Sequence, residues 1–176
     1  MIYQLDDFLT EETFEKVLNK CSDYSTSSEY PGWKFTGRSI ENNRPFWYID
    51  VKNDYFFESF IGNAIIKSVK EFANEEIDQI YRIYLNGATF GQQGYWHTDG
   101  DHPKERTLLI YACREWEEEW GGATVFKPHG SNEVVTIFTK PRKAVYFDGS
   151  MPHFSQQLSK DFHNLRITVA YKMRIK

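Results

Sequence analysis

From about residue 79 onward, short runs of strand-forming residues alternate with turns, and this pattern restricts the fold more than any other feature. The runs are rich in valine, isoleucine, threonine and aromatic residues, which favour strands. No long helical pattern separates them, so we expect mainly antiparallel pairing, as in a sandwich or barrel. The predicted strands cover residues 79–85, 106–113, 123–127, 133–139, 143–148 and 166–175.

Two helices are predicted before this β region. Thr10 is a candidate N-cap for a short amphipathic helix over 11-EETFEKVLNKC-21. Apolar residues recur at helical spacing across 56–73. The sequence thus predicts one domain over 1–176, with helical support in 1–78 and a β core in 79–176.

The stretch 25–51 between the two helices is rich in turn residues and aromatics, which is typical of a hairpin or a loop. Its aromatic residues belong either to the core or to a lid that closes over a site and excludes water. These residues are Trp33, Phe35, Phe46, Trp47 and Tyr48.

Charge and cysteine usage argue against several classes of protein. The net charge of −4 argues against binding to nucleic acid or an anionic membrane through bulk charge. Cys21 and Cys113 lie in no metal-binding spacing, so we interpret them as reduced thiols. The first residues lack the pattern of a signal peptide, and no apolar run is long enough to span a membrane. We therefore expect a cytoplasmic, soluble protein.

The segment 95-YWHTDGDHP-103 contains a candidate metal site. In a strand, His97 and Asp99 would point to the same face. His153, directly after the predicted strand 143–148, supplies a third ligand. Two imidazoles and one carboxylate leave coordination positions open for O2 and a co-substrate, as in non-haem Fe(II) oxygenases. Alternatively, Asp99 caps the turn and Asp101 or His102 is the ligand, or His153 packs against Pro152.

Arg166 begins the last predicted strand, 13 positions after His153. Thr168 shares its face, and Ala170 leaves that face open because it is small. A guanidinium inside a β-sandwich is unfavourable unless it binds a carboxylate, so these residues predict a site for the distal carboxylate of a keto acid. The alternative is a surface arginine paired with a glutamate.

The order of these motifs, with 121-GGATVF-126 between Asp99 and His153, resembles the 2-oxoglutarate and Fe(II)-dependent dioxygenases, in particular their prolyl 4-hydroxylase-like branch. The resemblance covers roughly residues 80–176, together with the opening 6-DDFLTEE-12. It implies a mainly β fold with flanking N-terminal helices, a double-stranded β-helix of the jelly-roll or cupin type. It also implies Fe(II), 2-oxoglutarate, O2 and ascorbate as reductant.

The resemblance also assigns roles to individual residues. The iron ligands would be His97, Asp99 and His153, and Arg166 would pair with the C5 carboxylate of 2-oxoglutarate. Tyr111 and Tyr84 lie where such enzymes place tyrosines near the co-substrate, although both also fit as core tyrosines. Thr168 is an accessory donor.

Hydroxylation of a peptidyl proline is the leading functional hypothesis that the resemblance implies. The long interval from Tyr84 to His97, and an arginine where collagen-type prolyl hydroxylases often use a closer lysine, weaken the prolyl assignment more than the dioxygenase assignment. The alternatives are a hydroxylase of a free amino acid or small metabolite and a non-catalytic, metal-binding cupin-like module.

His129 and His163 are predicted in exposed loops. The acidic stretch 114–122 is also predicted to be a solvated loop, unless Arg114 and Trp116 face the substrate.

Overall fold

Two antiparallel sheets and two helices make up the part of the chain that the computed structural model describes, which is residues 1–30, 32–36 and 46–176. The elements are, in order, β1 Ile2–Leu5, α1 Glu11–Thr26, β2 Lys34–Thr36, β3 Phe46–Asp50, a π-helical turn Phe56–Ile61, α2 Gly62–Ala73, β4 Ile77–Ala88, β5 Glu105–Ala112, a 3-10 turn Glu118–Trp120, β6 Thr124–Phe126, β7 Val135–Ile137, β8 Ala144–Asp148, β9 His153–Ser155 and β10 Arg166–Ile175.

The larger sheet has seven strands in the order β1-β8-β5-β10-β4-β3-β2, and the smaller has three in the order β7-β6-β9. Every pairing between these strands is antiparallel. The non-sequential strand order is that of a double-stranded β-helix, so the predicted fold class is confirmed.

All six predicted strands are present. The predicted strand 79–85 extends to Ile77–Ala88, whereas 133–139 shortens to Val135–Ile137. Both predicted helices also form, the second as a π-helical turn that continues into α2. The sequence did not predict β1 or β9, and the stretch 25–51 contains the paired strands β2 and β3. The segment before residue 79 therefore adds three strands to the large sheet as well as the helices.

Helix α1 begins where the sequence predicted. The Thr10 side chain accepts a hydrogen bond from the Thr13 backbone N–H at 3.3 Å, and Glu11 and Glu12 lie at the positive end of the helix dipole. One face of the helix packs into the main core. The buried residues of that face are Phe14, Val17, Leu18, Cys21 and Tyr24.

Strand β10 lies at the centre of the large sheet, between β4 and β5, and its alternation separates the core from the site. Val169, Tyr171 and Met173 point to the helices and belong to the main hydrophobic core. The alternate residues, including Arg166 and Lys172, point to the opposite face and line a cavity. Because consecutive side chains of a strand point to opposite faces, one buried strand supplies both core and site.

Within the described ranges, none of the helices combines the length and the apolar character needed to cross a membrane. Cys21 is buried, Cys113 is half-buried, and the two are not joined by a disulfide.

Candidate active site

His97 and His153 are joined through their backbones. The His97 N–H donates to the His153 carbonyl at 3.0 Å, and the His153 N–H donates to the His97 carbonyl at 2.9 Å. His97 lies in the long connection between β4 and β5, whereas His153 begins β9. This bridge brings the two imidazoles together, with 4.3 Å between their ring centroids.

Backbone carbonyls fix the orientation of both imidazoles. Nδ1 of His97 lies 2.9 Å from the Tyr95 carbonyl, and Nδ1 of His153 lies 2.9 Å from the Met151 carbonyl. A carbonyl can only accept, so each Nδ1 carries a proton, and the neutral form of each ring has its lone pair at Nε2. Histidine ligands of metals are commonly oriented by this kind of hydrogen bond.

Asp99 completes the group. One of its carboxylate oxygens, Oδ1, lies 3.6 Å from Nε2 of His97, and the other, Oδ2, lies 3.7 Å from Nε2 of His153. The ligand atoms of the three residues all lie within 4.8 Å of one another, so one divalent cation can contact all three. Among the described residues, Asp101 and His102 are exposed and do not join this group.

The charges around the three residues favour the protonation states that a metal requires. Burial of the Asp99 carboxyl acts to raise its pKa, but the positive charge of Lys172, with the two imidazoles, holds that pKa well below its usual range. Lys172 Nζ forms an ion pair with Asp99 Oδ1. Burial lowers the pKa of His153 to about 4, so this imidazole is neutral at neutral pH.

A cavity of about 340 Å³ extends from these three residues along the inner face of the large sheet. Strands β4 and β10 form most of its floor. Tyr84 and Thr168 are part of the lining, and their contact with the co-substrate stays a prediction. Phe46, one of the aromatics of the 25–51 stretch, also lines it, whereas 37–45 lie outside the described residues.

Arg166 lies in the same cavity and is only 5% exposed. Its Nε donates to Thr139 Oγ1 at 3.2 Å. Its Nη2 is buried and has no hydrogen-bond partner among the described residues. Burial lowers the pKa of Arg166, although a guanidinium remains charged at neutral pH. A buried charged donor without an acceptor is unfavourable by several kcal/mol at the order-of-magnitude level, so this end of the cavity is suited to a carboxylate.

Tyr111 lies behind Arg166. The Arg166 guanidinium carbon is 5.3 Å from the centre of the Tyr111 ring. The Tyr111 hydroxyl donates to Thr124 Oγ1 at 2.8 Å. Tyr111 is fully buried, and it is not among the described residues that line the cavity. In this structure Tyr111 packs against the Arg166 guanidinium and does not line the described part of the cavity.

The other candidates lie elsewhere. Arg114 forms an exposed ion pair with Glu15, and Trp116 packs against Trp120 and Phe162, so neither lines the described part of the cavity. His129 and His163 are exposed, as predicted.

Sequence reasoning missed several polar residues of the site, and four of them bear on the predicted residues or their charge. Thr107, Thr139, Arg82 and Lys172 all contact or border the predicted residues. The period of two in 166-RITVAYKMRI-175 would have placed Lys172 on the same face as Arg166. Thr107 and Thr139 carry no comparable signal, because their roles depend on which strands become neighbours.

The fold is that of the 2-oxoglutarate, Fe(II) oxygenases, and several of the solved structures that this chain resembles belong to that class. A prolyl hydroxylase from Trichoplax adhaerens, in complex with a hypoxia-inducible factor peptide, has a TM-score of 0.75 at 17% identity over 98% of this chain and 83% of that one. A viral collagen prolyl hydroxylase from Paramecium bursaria Chlorella virus-1, bound to 2-oxoglutarate, has a TM-score of 0.64 at 18% identity over 98% of this chain and 96% of that one.

A non-haem α-ketoglutarate-dependent epimerase of nogalamycin biosynthesis has a TM-score of 0.73 at 9% identity over 98% of this chain and 76% of that one. No family model matches the sequence. No curated protein matches it either. The likeness to the solved structures is one of fold, and these structures differ in the reactions for which they are named.

Proposed function

We propose that the protein is an Fe(II)- and 2-oxoglutarate-dependent oxygenase that hydroxylates a C–H bond. One observation carries the proposal. The cavity that holds the three clustered ligands, His97, Asp99 and His153, also holds Arg166, whose buried Nη2 has no acceptor among the described residues. A metal site and a carboxylate site in one cavity are what a metal-bound keto acid requires.

The residues present fit both groups. Two imidazoles and one carboxylate form a ligand set that suits Fe(II). Arg166 can bind the C5 carboxylate of 2-oxoglutarate through two parallel N–H donors, and the Thr168 hydroxyl lies on the same face of β10. Bound iron supplies the activation of O2. The overall reaction balances when R–H, 2-oxoglutarate and O2 give R–OH, succinate and CO2.

The protein contributes position and exclusion of water. Thr107 Oγ1 donates to Asp99 Oδ2 at 2.8 Å and thereby orients the carboxylate. Phe126 and Phe147 pack against the His153 ring, with centroids 5.5 and 4.8 Å away, and exclude solvent from one side of the site. Such support holds the reactants in place without taking part in the bond changes.

For the substrate, a peptidyl proline is the first candidate, because two of the similar structures are named as prolyl hydroxylases. A free amino acid or other small metabolite is the second candidate. Two cations in the cavity, Arg82 and Lys172, favour it. Ascorbate would serve as the reductant in the test tube.

The test is succinate formation from 2-oxoglutarate in air with Fe(II) and ascorbate, for wild type, His97→Ala and Arg166→Ala, with and without proline-rich peptides. We expect turnover by wild type, none by His97→Ala, and a need for much more 2-oxoglutarate in Arg166→Ala. Stimulation by peptide would support the prolyl substrate. Stoichiometric metal binding without succinate under any condition would instead support a non-catalytic, cupin-like module.

A further inference from the structure

We propose that the substrate carries a carboxylate close to the C–H bond that reacts, and that Arg82, assisted by Lys172, binds this carboxylate. The inference rests on the proposed function and names the chemical class of its substrate. It concerns the end of the cavity at Arg82 and Lys172, which the proposed 2-oxoglutarate site at Arg166 does not use.

Arg82 on β4 and Lys172 on β10 are directly opposite one another in the antiparallel ladder. Directly opposed residues of such a ladder point to the same face, here the cavity, which both side chains line. Tyr84 lies beside both cations, with its ring centre 4.5 Å from the Arg82 guanidinium carbon and 5.7 Å from Lys172 Nζ. Like charges in opposed positions are destabilising unless an anion lies near them.

The charges of the described lining residues leave room for such an anion. Among these residues, Arg82, Lys172 and Arg166 are cationic, and Asp99 is the one carboxylate. Asp99 pairs with Lys172, and in the working enzyme it would also be a ligand of the metal. Its single negative charge is then shared by a divalent cation and a lysine.

Arg82 itself forms neither an ion pair nor a hydrogen bond with any described residue. Asp50, on the neighbouring strand β3, pairs with Tyr84, two residues from Arg82. Asp50 Oδ1 accepts a hydrogen bond from the Lys52 backbone N–H at 3.0 Å instead. None of the described residues therefore occupies the donors of the Arg82 guanidinium, which can bind a ligand in the cavity.

The position of Arg82 separates this site from that of 2-oxoglutarate. In the ladder Arg166 pairs with Ala88, six residues along β4 from Arg82. Six residues of a strand span roughly 20 Å of backbone, so the two arginines come from different ends of the cavity floor. The metal ligand Asp99 contacts Lys172, so the Arg82 end lies beside the metal centre. A carboxylate bound at Arg82 would therefore belong to a molecule other than 2-oxoglutarate, namely the substrate. The C–H bonds next to that carboxylate would face the metal.

The experiment compares matched pairs of ligands that differ only in charge. The panel contains free L-amino acids with their amides, which represent a metabolite. It also contains N-acetyl amino acids with their N-acetyl amides, which represent the end of a peptide. Binding is measured by isothermal titration calorimetry to the protein loaded with Mn(II) and saturating 2-oxoglutarate, which occupies Arg166.

For wild type we expect at least one carboxylate to bind about tenfold or more tightly than its amide, since a charged pair with arginine is worth at least that factor. The preference should disappear in Arg82→Gln and return in Arg82→Lys. Arg174→Gln is the control, because Arg174 lies on the neighbouring strand β10 but pairs with Glu105, and neither residue belongs to the described lining of the cavity.

Preferred binding of a free amino acid would identify the substrate as a metabolite. Preferred binding of an N-acetyl amino acid would identify it as the end of a peptide. Equal binding of carboxylates and amides across the panel, or a preference that survives Arg82→Gln, would overturn the inference. In either case intact Mn(II) and 2-oxoglutarate binding would leave the proposed function standing. Failure of wild type to bind 2-oxoglutarate would instead overturn the proposed function.

Discussion

Thr107 Oγ1 donates a hydrogen bond to Asp99 Oδ2 over 2.8 Å, and this contact orients a carboxylate between two imidazoles. Thr107 is 1% exposed and comes from β5, whereas Asp99 lies in the loop before that strand. The contact thus ties the loop that carries two of the candidate ligands to the rigid centre of the large sheet.

Replacing Thr107 by valine removes this hydrogen bond with almost no change of shape. We expect Thr107→Val to weaken Mn(II) binding by about tenfold, because groups that orient metal ligands typically contribute 10–100-fold to affinity. Titration of Mn(II) by electron paramagnetic resonance measures the change. Thr136→Val, on β7, is the control and should bind Mn(II) as wild type does. Equal affinities of the Thr107 and Thr136 variants would refute the orienting role.

Gly122 lies against Arg166 in a left-handed conformation, with φ of +70°. A Cβ there would lie 2.7 Å from Leu158 Cδ2 and 3.0 Å from Arg166 Cδ. We expect Gly122→Ala to displace the guanidinium and to weaken 2-oxoglutarate binding several-fold, while Mn(II) binding changes little. Calorimetric titration of both ligands separates the two effects.

Gly130 provides a matched control for that variant. Its φ is +75°, but a Cβ there would have no heavy atom within 4 Å. Gly130→Ala introduces the same backbone strain without the contact, so it should lower stability slightly and leave 2-oxoglutarate binding unchanged. If both variants bind 2-oxoglutarate equally, contact with Arg166 is not the cause.

Arg106 and Glu75 join β5 to the residues that follow α2. Arg106 donates to both Glu75 oxygens, from Nε at 3.2 and 3.1 Å and from Nη2 at 2.7 Å, and the Tyr146 hydroxyl donates to Glu75 Oε2 at 2.6 Å. Glu75→Ala would leave a largely buried guanidinium without its main partner. We expect the free energy of unfolding in urea to fall by about 3 kcal/mol. A loss below roughly 0.5 kcal/mol would mean that the network is only a surface feature.

Burial raises the pKa of the Cys21 thiol to about 12, and burial likewise raises that of Cys113 to about 12, although the Arg166 charge opposes the latter shift. The thiolate is the reactive form, so both thiols should be unreactive at pH 8 in the folded protein. We expect alkylation by iodoacetamide, followed by mass spectrometry, to be slow until urea unfolds the chain. Fast alkylation of Cys21 under native conditions would contradict the packing of α1 against the sheet.

The sequence predicted the site better than the edges of the fold. His97, Asp99 and His153 were selected for their chemistry and order in the chain, and the structure brings all three together. The expected strand geometry of His97 and Asp99 was wrong, because both lie in the connection between β4 and β5. The strand β1 was missed because its four residues pair with β8, 139 to 145 residues later, and local pattern carries no information on such a partner.

Local sequence pattern likewise does not predict the residues that contact the predicted site residues. Thr139 contacts Arg166 across 27 residues of sequence, and only the completed sheets bring them together. Lys172 was predictable in principle, since it lies on the Arg166 face of β10, but a lysine near the end of a strand is more often solvated. The ion pair between Lys172 and Asp99 was not predictable, because it depends on where the loop before β5 places the Asp99 carboxylate.

The most direct test of the central claim is anaerobic titration of the protein with Fe(II) and 2-oxoglutarate, followed by visible absorption. A keto acid bound to Fe(II) gives a weak charge-transfer band. We predict that the band appears only when both components are present, is absent in His153→Ala, and needs at least tenfold more 2-oxoglutarate in Arg166→Met. Tight Fe(II) binding by wild type without a band at any 2-oxoglutarate concentration would contradict the account.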